Sequence, residues 1–167
     1  MSLNRLVSVL DQLDLYHHQM LDLGQAKKTS IISNDVDTLI RILNQESKLI
    51  KSIEQADEER IQASYSFLNE RGIKSQLNLT VSELARLIFD IEEKQMLLDT
   101  QSRLKSTLDQ LKQVNILNQQ LLEQSLEFIE FSLDVMLDKP NQDITYQHPA
   151  AHQSYGTRQK GLFDRRG

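Results

Sequence analysis

The stretch "IISNDVDTL", residues 31–39, separates two long helical segments and so decides the fold. On both sides of it, apolar residues recur at three- and four-residue intervals, a pattern that predicts amphipathic helices. Asn34 can cap the second helix, while Asp35 and Asp37 fall in its first turn, where the positive end of the helix dipole favours carboxylates. Because the connection is so short, the two helices are predicted to be antiparallel neighbours.

Each helix is expected to bury one apolar row, or seam. The first seam consists of Leu3, Leu6, Val7, Leu10, Leu13, His17, Met20 and Leu21. The second consists of Val36, Leu39, Ile40, Leu43, Ile50, Ile53, Ile61, Phe67 and Leu68. The second helix is predicted to end before Gly72, which can adopt the left-handed conformation of a helix C-terminus.

A third helix begins at "LTVSELA", residues 79–85. Thr80 and Glu83 form a capping box, and Leu79 and Leu84 stand where a hydrophobic staple would place them. No proline or glycine interrupts the chain from there to Pro140, so one helix is predicted, with a shift or bend near 98–104. If this helix breaks, the body has four helices instead of three.

The fold class predicted is therefore all-α: an antiparallel bundle of three to four long, coiled-coil-like helices, over about 2–32, 35–70 and 80–138. Both prolines and three of the five glycines lie after residue 139, which predicts a helical body over 1–139 and a flexible tail over 140–167. Charge changes there as well. Residues 1–138 carry 14 Lys and Arg against 22 Asp and Glu, a balance of −8, whereas residues 139–167 carry 5 against 2, a balance of +3.

Several classes of function are disfavoured by composition. An acidic body lacks the basic face that nucleic-acid binding requires, and no cysteine is available for a disulfide, a thiolate metal site or thiol catalysis. The first residues do not resemble a signal peptide, and no apolar run is long enough to cross a membrane, so a cytoplasmic protein is expected. We find no pattern for a catalytic site, a metal site, a cofactor or a small-molecule substrate.

Histidines suggest one enzymatic alternative, a histidine phosphotransfer bundle that would use His17 or His18. The surrounding sequence "YHHQMLDLG" lacks the lysine that would help to seat a phosphoryl group, and adjacent residues on a helix point in different directions. A pair of histidines at the edge of a seam is the preferred interpretation.

The segment 114–138, "VNILNQQLLEQSLEFIEFSLDVMLD", contains 13 large apolar residues, and all its charges are acidic. On a helix these apolar side chains cover far more than one stripe, because Phe128 and Phe131 flank the row formed by Leu122, Leu126, Ile129 and Leu133. Two interpretations remain open: the helix is the central member of a bundle, or it presents an apolar surface to a partner helix. Self-association as a structural coiled coil is a third possibility for the chain as a whole.

The chain resembles the FlgN-type flagellar export chaperones. Three stretches carry the resemblance: "KKTSIISNDVDTLIRILNQESKLIKSIEQADEER" over 27–60, "LNLTVSELA" over 77–85, and the ending "SYGTRQKGLFDRR" over 154–166. The resemblance implies a cytosolic chaperone that binds the C-terminal helices of hook-associated proteins and delivers these proteins to the flagellar export gate.

The resemblance also implies where the two partners bind. The client would contact the apolar residues of the late helix, namely Leu117, Leu121, Leu122, Leu126, Phe128, Ile129, Phe131, Leu133, Val135 and Met136. The export gate would contact the tail, where Tyr155, Leu162 and Phe163 are the expected anchors.

Overall fold

A computed structural model describes residues 1–74 and 76–137 of the chain. In these residues the structure has four α-helices and no strand: α1 (Ser2–Ile32), α2 (Val36–Glu70), α3 (Val81–Ala85) and α4 (Ile91–Met136). The predicted all-α class is confirmed. The chain divides into two units, residues 1–128 and residues 129–167. Within the described ranges, no helix is both long and apolar enough for a membrane span.

Helices α1 and α2 form an antiparallel hairpin whose turn differs in detail from the prediction. Asp35, not Asn34, is the N-cap of α2: its carboxylate accepts a hydrogen bond from the Thr38 backbone N–H at 3.1 Å. Asn34 has a φ of 55° and so occupies the left-handed region that commonly ends a helix. The reason is that α1 runs to Ile32, which leaves Asn34 to terminate the first helix and its neighbour to start the second.

At the other end of the hairpin, the helix termini are joined by side chains. The backbone N–H and hydroxyl of Ser2, at the start of α1, both donate to the carboxylate of Glu70, at the end of α2. Gly72 has a φ of 76°, and the Ile73 N–H donates to the Leu68 carbonyl oxygen at 2.9 Å, which closes the C-terminus of α2. The left-handed glycine predicted there is confirmed.

The predicted capping box is present in α3, but the helix that it starts is short. Thr80 accepts from the Glu83 N–H, and Glu83 accepts from the Thr80 N–H at 2.7 Å. Helix α3 ends at Ala85, so the expectation of one helix over 80–138 is wrong, and the break lies upstream of the bend expected at 98–104. Tight i→i+3 turns follow, and the carboxylate of Asp90 accepts from the Glu93 N–H to start α4. This break lets Leu84, Ala85 and Ile88 all lie in the core.

The core lies where α3 and the start of α4 meet the end of the hairpin opposite its turn, at the start of α1 and the end of α2. Its largest fully buried side chains are Leu6, Leu10, Phe67, Leu68, Leu84 and Leu97. The seam predicted for α1 is confirmed in this region by burial of Leu3, Leu6, Val7, Leu10 and Leu13.

Within the first unit, α4 runs parallel to α1. Arg103 pairs with Asp11 at 2.8 Å, Thr107 donates to Asp14 at 2.7 Å, and Asn118 donates to the Gly24 carbonyl oxygen at 2.8 Å. The buried residues of α4 recur at heptad spacing and include polar ones: Leu97, Thr100, Thr107, Leu111 and Asn118. Leu108, by contrast, is exposed.

In α2 the predicted seam holds only for the second half. Phe67 and Leu68, in the second half, are buried. In the first half, Val36, Ile40, Leu43 and Ile50 are exposed, and the buried apolar residue is Ile42. The described part of the second unit is the end of α4, from Ile129, and Leu137.

Candidate functional site

The late apolar residues of α4 are largely exposed. In the first unit these are Leu117, Leu122, Leu126 and Phe128, while Leu121 is half-buried. In the second unit they are Ile129, Phe131, Leu133, Val135 and Met136. Contiguous exposed apolar side chains of this number mark an interaction surface more often than they mark ordinary surface. Over residues 117–128, α4 is therefore not packed as the central helix of a bundle.

Within the first unit, these residues lie on two sides of α4. By the helical period, Leu122 and Leu126 continue the side that carries Leu108 and Asn115, because the spacings are four and seven residues. Leu117 and Phe128 project from a different side of the same helix. The structure thus places the predicted client-binding residues of the first unit on more than one face of α4.

The side that carries Leu108, Asn115 and Leu122 borders a groove between α2 and α4. Two adjoining cavities form it, of about 500 Å³ and about 590 Å³, and both are lined by His17 and Ile53. Helix α1 supplies the floor, with Leu10, Leu13, His17 and Met20. Sequence reasoning missed this groove, because nothing in a single helix's pattern says that two neighbours of α1 will stand apart.

The α2 wall of the groove is acidic. Lys27 pairs with Glu46 at 2.7 Å, and Arg60 pairs with Asp57 at 2.7 Å. These pairs neutralise the two cations that line the cavities, and Glu54 and Glu58 supply the excess charge of the lining. On α4, the charges of residues 114–137 are all carboxylates. The groove and the exposed end of α4 therefore share one sign of charge.

Asn118 is the unusual polar residue of the groove. It is 3% exposed, and its side-chain N–H₂ donates to the Gly24 carbonyl oxygen, but its Oδ1 is buried without a hydrogen-bond partner. Buried polar atoms are nearly always paired, since burial without a partner costs free energy. This acceptor lies in the lining of the groove's cavity of about 500 Å³.

Histidine placement bears on the phosphotransfer alternative. His17 is half-buried, and its Nδ1 lies 2.6 Å from the Leu13 carbonyl oxygen, within the floor of the groove. His18 is exposed, with Nδ1 3.0 Å from the Asp14 carbonyl oxygen and 3.4 Å from the Thr107 hydroxyl. Both rings thus contact α1's own backbone, as expected of histidines at the edge of a seam. Tyr155, Leu162 and Phe163, the predicted gate anchors, lie outside the described residues.

The fold defines the class of protein first: an all-α helical bundle built on a long antiparallel hairpin. Residues 1–154 match the family model described as "FlgN protein". The chain belongs to the FlgN family, and it is a flagellar export chaperone, as the sequence resemblance indicated. It is similar to the uncharacterized protein YvyG of Bacillus subtilis (strain 168), with 30% identity over 141 residues and 84% of each chain covered. No solved structure gives a significant match.

Proposed function

We propose that this chaperone binds hook-associated flagellar proteins through the exposed apolar residues of α4 and delivers them to the export gate through its tail. The observation that carries the proposal is the exposure of large apolar side chains along the late part of α4, where Leu126 is 60% and Phe128 is 69% exposed. Such side chains bind well to the apolar face of an amphipathic helix.

The chaperone would act by covering the client surface that the client otherwise uses for assembly. Hook-associated proteins would be kept unassembled if their C-terminal helices packed on α4 and not on their own partners. The carboxylates beside the apolar residues, Glu123, Glu127, Glu130 and Asp134, would favour clients with basic flanks. Charges of this kind raise the association rate and the specificity more than the affinity.

Delivery is assigned to the basic tail, in which Tyr155, Leu162 and Phe163 are the proposed anchors on the export gate. Separate sites for client and gate allow the chaperone to hold both at once, so handover can follow docking.

Size-exclusion chromatography with light scattering tests client binding directly. Wild-type chaperone and a purified hook-associated protein are expected to form a discrete heterocomplex. The double variant Leu126→Asp/Ile129→Asp should lose it, because two carboxylates replace adjacent apolar contacts on α4. Ile116→Asp is the matched control, since Ile116 is an exposed apolar residue of the same helix outside the proposed surface.

Two results would contradict the proposal. A heterocomplex that survives Leu126→Asp/Ile129→Asp, with the fold intact by circular dichroism, would show that the client binds elsewhere. Self-association of the wild type at submicromolar concentration, with no client bound, would favour the structural coiled-coil alternative.

A further inference from the structure

Each wall of the groove between α2 and α4 carries residues of a heptad-spaced row. On α2, Val36, Leu43 and Ile50 recur every seven residues and the next position is Asp57; of these, Ile50 and Asp57 line the groove. On α4, Leu108, Asn115 and Leu122 recur every seven residues and all line the groove. Apart from Asn115, the members of both rows are exposed apolar residues. A seven-residue repeat is the spacing with which helices pack side by side.

The dimensions of the groove fit a helix. From Leu108 to Leu122 the α4 row spans 14 residues, or about 21 Å at 1.5 Å per residue. On α2 the lining extends from Glu46 to Arg60, again 14 residues or about 21 Å. A helix of about 14 residues would therefore contact both walls and the floor residues Leu13 and Met20 along its length.

Charge and hydrogen bonding indicate what kind of helix this is. Glu54 and Glu58 give the α2 wall its excess negative charge, so lysine or arginine flanks are complementary to it. The unpartnered Oδ1 of Asn118 needs a donor, which a basic or amide side chain entering the groove supplies. A second copy of this acidic chain would bring carboxylates to the same wall, and so fits less well.

We infer that the α2–α4 groove is a docking site for an amphipathic helix with heptad-spaced apolar residues and basic flanks. The inference rests on the proposed function and deepens it, because it adds α2 and the α1 floor to the client's binding surface. In the complex, the client helix completes a four-helix arrangement with α1, α2 and α4.

The absence of cysteine makes the groove easy to probe. Asn115→Cys carries an environment-sensitive fluorophore on the α4 wall, in the full-length chain. The probe ligand is a synthetic 21-residue helix with leucine at the two core positions of each heptad and lysine beside them. A matched peptide with glutamate in place of lysine tests the charge requirement.

We expect the lysine peptide to shift the emission to shorter wavelength saturably, and the glutamate peptide to bind at least tenfold more weakly. Ile50→Lys and Leu108→Lys should each weaken binding of the lysine peptide at least tenfold. Leu15→Lys and Ile116→Lys, at similarly exposed apolar positions outside the groove lining, should change it less than twofold. Asn118→Leu should weaken binding while the protein stays folded; loss of stability with unchanged binding would assign Asn118 to α1–α4 packing alone.

Other occupants give other results, each of which overturns the inference. Emission that shifts with the protein's own concentration would place a second copy in the groove. If the fluorophore emission is already at shorter wavelength in the free protein, at every dilution, then part of the protein's own chain occupies the groove. Equal binding by Ile50→Lys, Leu108→Lys and wild type would show that the peptide does not use the groove.

Competition separates this inference from the proposed function. A hook-associated protein should displace the lysine peptide. If the hook-associated protein binds but displaces nothing, the client site excludes the groove and the inference fails while the proposed function stands. If the lysine peptide binds as expected and the hook-associated protein does not bind, the proposed client is wrong and the groove stands as a helix-binding site.

Discussion

Gly24 of α1 and Val114 of α4 approach so closely that a Cβ atom on residue 24 would lie 2.9 Å from Cγ1 of Val114. The approach sits four residues before Asn118, which donates to the carbonyl oxygen of the same glycine. Val114 has little freedom to move aside, because a β-branched side chain is restricted at χ1. Gly24, which costs helix stability in isolation, is thus explained by packing between helices.

A double-mutant cycle tests this contact. Gly24→Ala alone should destabilise the protein, because overpacking of about 1–3 kcal/mol outweighs the roughly 1 kcal/mol gained in helix propensity. In a Val114→Ala background, the same substitution should be neutral or stabilising, since the clash is removed. Urea unfolding of the four proteins measures both effects. Equal effects of Gly24→Ala in the two backgrounds would contradict the contact.

Truncation of two leucines on α4 should separate its buried part from its exposed part. Leu97 is fully buried in the core, so Leu97→Ala should cost about 2–5 kcal/mol of unfolding free energy. Leu126→Ala makes the same chemical change at an exposed position and should stay within about 0.5 kcal/mol of wild type. Chemical denaturation measures both. A large loss for Leu126→Ala would mean that this residue is part of a packed core in solution.

The local signals in the sequence were sufficient for the helices of the hairpin and for most helix ends; the exception was the start of α2, where Asp35 and not Asn34 is the cap. Thr80 with Glu83, and Gly72, act through neighbours only a few residues away, so their roles could be predicted without a fold. The break at 86–90 could not, because no proline or glycine marks it. It is set by burial of Ile88 in a core that α1 and α2 supply from distant parts of the chain.

Apolar rows show the same limit for the candidate site. Val36, Leu43 and Ile50 have the spacing of a buried seam, and from the sequence they were assigned to one. An apolar row that packs against its own chain and an apolar row that binds a partner have the same sequence pattern. The separation of α2 from α4 across His17 distinguishes the two cases, and the pattern of a single helix does not contain it.

Acid should weaken the fold through the carboxylates that cap helices. Hydrogen bonds from the backbone and then the hydroxyl of Thr80 lower the pKa of Glu83 in the folded state. A lowered folded pKa means that the stabilisation is present above the unfolded value, about 4.3, and is lost as the pH falls through the folded value. The hydroxyl of Ser2 is the main cause of a lowered pKa at Glu70, which adds to the same trend.

Glu83→Gln isolates the contribution of the capping box. Glutamine can still accept from Thr80 but does not titrate, so the variant should be less stable than wild type at pH 7. The two should converge as the pH falls below about 4, where the wild-type carboxylate is protonated. Urea midpoints at several pH values measure this, with Glu59→Gln, an exposed carboxylate within α2, as the control. A constant difference at every pH would show that the Glu83 charge is not involved.

Replacement of the three proposed tail anchors should separate client binding from delivery. Tyr155, Leu162 and Phe163 are the large apolar or aromatic residues of 154–167, an otherwise polar, basic segment, and a few residues commonly carry most of the binding energy of an interface. The triple alanine variant should bind a purified hook-associated protein as wild type does. In a flagellated host it should release less of that protein into the medium and retain more in the cell. The triple variant His152→Ala/Gln153→Ala/Gln159→Ala is the control for change in the same segment. Normal secretion by the anchor variant would remove the docking role, and loss of binding in the purified system would place the anchors on the client instead of the gate.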